Sequence, residues 1–216
     1  MIAPRPELLV LAGVNGAGKS SLGGAMLRSA GADYFNPDEV ARRIREYAPQ
    51  LGQREANALA WREGLRLLER AIAQRLDYAF ETTLGGATMA RLLAEAAAAG
   101  FALRLWYIGL ESVERHCARV AARVARGGHD IPAADIRRRF DASRRNLIRL
   151  LPAVTALRLF DNSREADPAA GLYPKPRLLL ELAAGKARLQ VPAVDLPDWA
   201  KPVVAAALKC EGRPPP

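Results

Sequence analysis

Long hydrophobic runs are missing from this chain. Its longest apolar stretches, over 8–14 and 103–110, are strand-sized and far short of the roughly 20 residues that cross a bilayer. Cysteine is nearly absent. Cys117 and Cys210 stand far apart with no metal-like spacing, so neither a zinc site nor a disulfide framework is expected. The stretch from Met1 to Glu7 carries Pro4 and Pro6 and no apolar core. No signal peptide is expected there, and a cytoplasmic location without membrane contact follows as an expectation. Acids are outnumbered, 23 against 32 basic residues, which leaves a formal charge of +9. Disorder is excluded in turn, because half of the residues are hydrophobic. At this length a globular chain buries roughly 70% of its unfolded surface, enough for one well-packed domain.

The charge is concentrated. Between Arg115 and Arg149 stand ten Arg and three Asp, +7 of the total +9. Such a block suits an anionic partner such as a nucleotide, a sugar phosphate or a nucleic acid. Only Phe140 is aromatic in that window, and single strands are held on stacking platforms, which argues against nucleic acid.

Residues 8–13, LLVLAG, predict a buried strand, and 19–29 a helix after it. A short extended piece is expected over 32–36, with Pro37 opening the next helix. Leu59, Leu65, Leu68, Ile72 and Leu76 predict an amphipathic helix over 54–76. Strands are expected over 77–83, 101–110 and 156–161, and helices over 88–99, 112–126 and 133–150. Strand and helix alternate, the pattern of a parallel sheet covered on both faces. Beyond Pro174, segments 177–182 and 186–191 flank Ala183-Ala184-Gly185 as a hairpin. A last helix is expected over 197–208 and a frayed tail after Glu211. The expected architecture is a three-layer α/β P-loop fold. A core over 1–170 carries a helical lid around 115–150, and 171–216 form a hairpin and helix extension.

Gly13-Val14-Asn15-Gly16-Ala17-Gly18-Lys19-Ser20 fits G-x-x-x-x-G-K-[ST] at every fixed position. The glycines let the backbone turn its N–H groups inward around phosphate, and the helix that follows offers its positive end. Lys19 is placed to reach the β- and γ-phosphates and Ser20 to hold Mg²⁺. Gly13, Asn15, Gly16, Ala17, Gly18, Lys19, Ser20 and Ser21 are therefore the expected ATP site. An N-K-x-D motif and an LSGGQ-like signature are both missing, which turns the reading from GTPases and transporter ATPases toward kinases.

A kinase also needs a carboxylate for the acceptor's proton, support for Mg²⁺, and mobile Arg residues. Asp38 follows the second extended piece, and ligands in parallel sheets bind beyond the carboxyl ends of strands. Asp38 is the expected base, with Glu39 the alternative. Glu81, at the end of DYAFETT, is expected to hold Mg²⁺ or substrate, with Thr83 beside it. Arg115, Arg119, Arg123 and Arg126 fall on one helix face and lead into the polar loop Gly127-Gly128-His129-Asp130-Ile131-Pro132. That is the pattern of a lid, with Arg123 and Arg126 nearest the loop as the expected catalytic arginines, Arg119 toward the nucleotide and His129 toward substrate. Asn162, in the Asp161-Asn162-Ser163 loop after the last core strand, is expected near the cradle.

VNGAGKSS, FNPDEVAR, FETTLGG, YIGL, RVAARVARGGHDIP, Asn146-Leu147 and LFDNS occur in that order from 14 to 163. Together they resemble the zeta-toxin-like P-loop kinases, in particular the chromosomal bacterial branch often labelled predicted ABC-type ATPase. That resemblance implies ATP- and Mg²⁺-dependent phosphorylation of an amino-sugar hydroxyl on UDP-N-acetylglucosamine, and a small antitoxin that blocks the ATP site. It implies that Asp38 is the catalytic acid–base group and that Lys19 and Ser20 contact ATP and Mg²⁺. Glu81 and Thr83 match strand-end positions near the sugar, and His129 stands near the place where the toxins carry a lid Arg. Two other readings remain at this point, a nucleic-acid end kinase and a regulatory ATP-binding module without fast chemistry.

Overall fold

The computed structural model describes residues 5–24, 34–164 and 175–212. Six strands form one sheet: β1 (Glu7–Ala12), β2 (Tyr78–Thr82), β3 (Ala102–Gly109), β4 (Ala156–Asp161), β5 (Arg177–Ala183) and β6 (Lys186–Leu189). Their order is β2-β1-β3-β4-β5-β6. The first four run parallel, and β5 and β6 are antiparallel additions. The helices are α1 (Pro37–Tyr47), α2 (Gln53–Gln74), α3 (Ala87–Ala98), α4 (Val113–Val124), α5 (Ala133–Leu150) and α6 (Lys201–Lys209), with a short helical turn at Lys19–Gly23. Among the described residues no helix is long and apolar enough to cross a membrane.

Strand alternation sets the two faces of the sheet. Leu8, Val10 and Ala12 enter the main core with Leu68 of α2, Leu93 of α3, Leu147 of α5 and Val203 of α6. Leu11 goes to the opposite face with Ile108 and Ala17. That second face is buried around Leu11 and Ile108 but carries the exposed Arg104 and Arg158, so β3 and β4 alternate buried with exposed residues over their first halves.

The extended piece expected over 32–36 is met at Phe35, which bridges Phe80 on the outer side of β2. Its N–H donates to Ala79 O at 2.9 Å, and its carbonyl accepts from Glu81 N at 2.8 Å. Residues 31–33 lie outside the described residues, as do 25–29 of the helix expected over 19–29. The tail from 213 also lies outside them.

α2 buries the middle of the stripe its leucines predict, Leu68 with Leu65 and Ile72 packed against the core, but not its two ends. Ala56, Ala60, Leu68 and Ala71 are buried, while Leu59 and Leu76 are exposed. Ala56 and Ala60 pack with Ala41 of α1, and small side chains let two helices approach closely where leucine would not fit. Leu76 lies past the helix end, after Arg75 turns left-handed at φ 52°. The hairpin expected after Pro174 forms with Ala184 and Gly185 both at positive φ, the signature of a two-residue primed turn. It lengthens the sheet beside β4, on the edge opposite β2. The last helix starts at Lys201 rather than 197, because Pro197 and Ala200 close a separate turn before it.

Candidate active site

The loop after β1, the end of β2, the starts of α1 and α3, one face of α2, and Ile131 with Arg139 of α5 meet around a cavity of about 360 Å³. Its walls include Asn15, Asp38, Glu81, Thr83 and Arg139.

The cradle begins where β1 ends. Gly13 sits at φ 145°, and a Cβ there would fall 2.2 Å from Ile108 O, so no other residue fits this turn. Its N–H donates to Thr82 O at 3.2 Å. Lys19 is buried, with Nζ 3.4 Å from Val14 O and 3.5 Å from Glu81 Oε1. Ser20 Oγ–H donates to Glu81 Oε2 at 2.8 Å. Burial pushes the Glu81 carboxyl above the usual carboxylate range, and Lys19 and Ser20 act against that shift. Ser21 is exposed.

Asp38 owes its place to Asn36, which the sequence reading did not single out. The buried Asn36 Oδ1 accepts from Asp38 N at 2.9 Å and Glu39 N at 3.4 Å, capping α1 with Pro37 in its first turn. The Asp38 carboxylate faces the end of α4 and the loop after it: Oδ2 is 3.5 Å from Arg123 Nη1, and Oδ1 is 3.7 Å from His129 Nε2. Arg123 Nη2 also donates to His129 O at 3.0 Å. Burial lowers the His129 pKa, and Asp38 partly offsets that.

The basic stripe of α4 divides into separate tasks. Arg123 reaches Asp38. Arg119 Nη2 donates to Asn162 O at 2.7 Å. Asn162 Nδ2 in turn donates to Ala17 O at 2.9 Å, so the loop after β4 is tied to the cradle. Arg115 pairs with Glu111 at the surface. Arg126 is exposed, and the structure does not bring it to Asp38 or the cradle. Asp161 turns away from the site, accepting from Ser163 Oγ at 2.6 Å and Trp199 Nε1 at 3.0 Å.

Two side chains that sequence reasoning passed over hold Asn15. The carbonyl of Asn15 lies 2.7 Å from His116 Nδ1, and since a carbonyl only accepts, the ring proton is on Nδ1. Burial holds the His116 pKa down to about 4, so the imidazole is neutral. Arg139 Nη1 donates to Asn15 Oδ1 at 2.8 Å, and burial lowers the guanidinium pKa. Arg139 was hidden in the run Arg137-Arg138-Arg139. Its phase with Ser143 and Asn146, at i, i+4 and i+7, marks the face that counts. Ser143 Oγ–H donates to Thr83 O at 2.7 Å, and Asn146 Nδ2 donates to Leu84 O at 2.9 Å and Gly86 O at 3.4 Å. One face of α5 therefore grips both the cradle and the loop that bears Thr83.

The same fold occurs in solved structures. A chain of the AvrRxo1-ORF1:-ORF2 complex with ATP superposes with a TM-score of 0.66 at 15% identity, over 95% of this chain and 64% of that one. This chain therefore spans 64% of that neighbour's length. A chain of the PezAT chromosomal toxin–antitoxin system of Streptococcus pneumoniae gives a TM-score of 0.53 at 12% identity, over 80% of this chain and 75% of that one. At such identities the likeness is one of fold, a P-loop kinase-like α/β fold with a mostly parallel sheet. An uncharacterised protein of Haemophilus influenzae is 36% identical over 128 residues, 57% of this chain and 84% of its own length. A family model described as an AAA domain matches residues 8–147, a span that takes in the cradle, Asp38, Glu81 and α4, and the chain belongs to that AAA_33 family.

Proposed function

We propose that the protein is an ATP-dependent phosphotransferase that moves the γ-phosphoryl group to a hydroxyl of a small anionic molecule. The observation that carries this reading is the position of Asp38. It lines the same cavity as Glu81 and Thr83, with Arg123 3.5 Å away. The volume of about 360 Å³ suits a small-molecule site.

A magnesium nucleotide fits the donor set. The backbone from Gly13 to Gly18 and Lys19 receive phosphates, and Ser20 with Glu81 would hold Mg²⁺, a cation usually bound by one or two protein oxygens plus phosphate. Bound there, Mg²⁺ would offset the negative charge of the phosphates. Asn162 Oδ1 is buried and without a hydrogen-bond partner among the described residues. A nucleobase amino group is a donor of the kind it lacks.

In the transfer, the acceptor oxygen bonds to the γ-phosphorus as the bond to the ADP oxygen breaks. The hydroxyl proton goes to the Asp38 carboxylate. Arg123 and Arg139 supply positive charge where the equatorial oxygens gather negative charge. The finer reading, a nucleotide sugar of the UDP-N-acetylglucosamine kind as acceptor, is supported by the motif order and by the guanidinium in the cavity wall. An antitoxin-like protein partner belongs to the same proposal, since one structural neighbour comes from a toxin–antitoxin system.

The test is incubation with Mg-ATP and a panel of UDP-sugars, read by mass shift, with Asp38→Asn alongside. A phosphorylated product that falls about 10²–10⁴-fold in the variant is expected. ATP binding with equal slow hydrolysis in both proteins and no new product would sink the reading.

A further inference from the structure

We propose that Trp61 and Phe35 form a ring-binding wall in the cavity, so that the protein selects acceptors carrying a flat unsaturated ring over open polyols and bare sugar phosphates. The inference rests on the reading of this cavity as the acceptor site and names the part of the acceptor it recognises.

The chain is poor in aromatic residues, with three Trp in all. Two are committed. Trp199 donates its indole N–H to Asp161, and Arg158 lies over the ring of Trp106, 5.9 Å from its centroid. Trp61 is different. It is 48% exposed, it lines the cavity, and among the described residues it has no hydrogen bond and no ring partner. A scattered exposed apolar side chain needs no explanation. A large one facing the cavity that holds Asp38 does.

The geometry of α2 supports the assignment. Asn57, Trp61 and Gly64 follow at i, i+4 and i+7, and all three line the cavity. Gly64 has a steric reason. A Cβ there would come within 2.7 Å of Phe35 Cε1 and 3.3 Å of Cδ1. The absent side chain lets the Phe35 ring lie against the helix beside Trp61. Asn57 Oδ1 accepts from Gln53 Nε2 at 2.9 Å, which leaves its amide N–H groups for the edge of a ring. The wall of Asn57, Trp61 and Phe35 is apolar with one polar handle, while Asp38, Thr83 and Arg139 make up the polar part. A molecule with a flat ring joined to a hydroxyl-bearing, anionic part matches that division. Aromatic faces accept any base, because every base has a π-face.

The test uses the full chain saturated with Mg-ADP, so that the P-loop is filled, and isothermal titration with four probes: UMP, AMP, ribose 5-phosphate and N-acetylglucosamine 1-phosphate. At least one ring-bearing probe is expected to bind ~10-fold or more tightly than ribose 5-phosphate, the scale of one base–aromatic stack. Trp61→Ala should erase that difference and Trp61→Phe should keep most of it. Trp61 is half exposed, so both variants should fold, which their thermal melts would report. The inference is overturned if UMP and AMP bind no better than ribose 5-phosphate, or fail to bind the ADP-loaded protein. A ring preference that survives Trp61→Ala overturns it too, as does a Trp61-dependent preference for the amino-sugar phosphate. The parent reading is reported separately by the Mg-ADP titration of the wild type. If Mg-ADP does not bind, both fall; if it binds and the ring-bearing probes do not, only this inference falls.

Discussion

Lys19 and Glu81 form an ion pair at 3.5 Å in a place where both side chains are only 6% exposed. The pair ties the helical turn after the cradle to β2, and Ser20 completes it with a 2.8 Å hydrogen bond to the other carboxylate oxygen. Before nucleotide arrives, Glu81 therefore balances the charge that the cradle holds ready for phosphate. Removing one partner of a buried pair leaves the other charge uncompensated, at a cost of about 3–5 kcal/mol. Glu81→Ala should lower the unfolding free energy of the nucleotide-free protein by about that much. Urea denaturation checks it, and a loss below about 1 kcal/mol would mean that water reaches Lys19 more freely than the structure implies.

His116 makes stability depend on acidity. Its pKa falls from the ordinary 6.5 to about 4 in the folded protein, chiefly by burial. An unfolded chain then binds more protons than the folded one between those values. The stabilisation is complete above pH 6.5 and is lost as pH falls toward 4. The difference of 2.5 units corresponds to about 3 kcal/mol at 1.36 kcal/mol per unit. Denaturation curves from pH 7 to 4 should show this loss, and His116→Gln should flatten the curve while weakening the contact to Asn15. An unchanged slope in the variant would assign the acid sensitivity to other groups.

The sheet and the cradle were legible because each is written in consecutive residues. The run LLVLAG followed by the glycine-spaced loop specifies strand, turn and anion site without help from the rest of the chain. Asp38 and Glu81 were legible by a further step, since parallel strands direct their ends to one side. What stayed hidden depends on helix phase and packing. The Arg119 and Arg123 spacing drew attention to α4, yet the guanidinium at the cradle comes also from Arg139 on α5. His116 lies inside the same basic stretch and points inward, which four-residue spacing of its neighbours does not reveal. On α2 Leu65, Leu68 and Ile72 do face the core, while the contact of Ala56 and Ala60 with α1 stayed hidden because a close helix approach selects small side chains rather than leucine.

Arg139 gives a kinetic prediction. Its Nη1 bonds Asn15 Oδ1 at 2.8 Å, in a half-buried position on the cavity wall. Loss of one preorganised donor aimed at developing charge costs about 10²–10³ in kcat. Arg139→Ala should fall in that range, with Mg-ADP still bound. Arg139→Lys keeps the charge but loses the fork, so it should recover only part of the rate. Full activity in Arg139→Ala would confine this side chain to shaping the loop.

Asn146 carries the last prediction, which concerns the loop rather than the chemistry. The loop after β2 departs from ordinary backbone at Leu84, where φ is 52°. Its carbonyls at Leu84 and Gly86 take both hydrogen bonds that the Asn146 amide donates. Ser143, one helical turn earlier, holds Thr83 O and receives the Tyr107 hydroxyl at 3.0 Å. Since Ser143 donates its own proton to Thr83, the shared proton of that second bond comes from Tyr107. Asn146→Ala removes the donors and leaves the buried Leu84 carbonyl without this partner, a loss of about 1–3 kcal/mol. Hydrogen exchange should show the amides of 83–86 opening faster in the variant, with the β1 amides unchanged. If only global stability falls and the loop stays protected, then Ser143 alone fixes Thr83, and Asn146 serves the packing of α5 against the sheet.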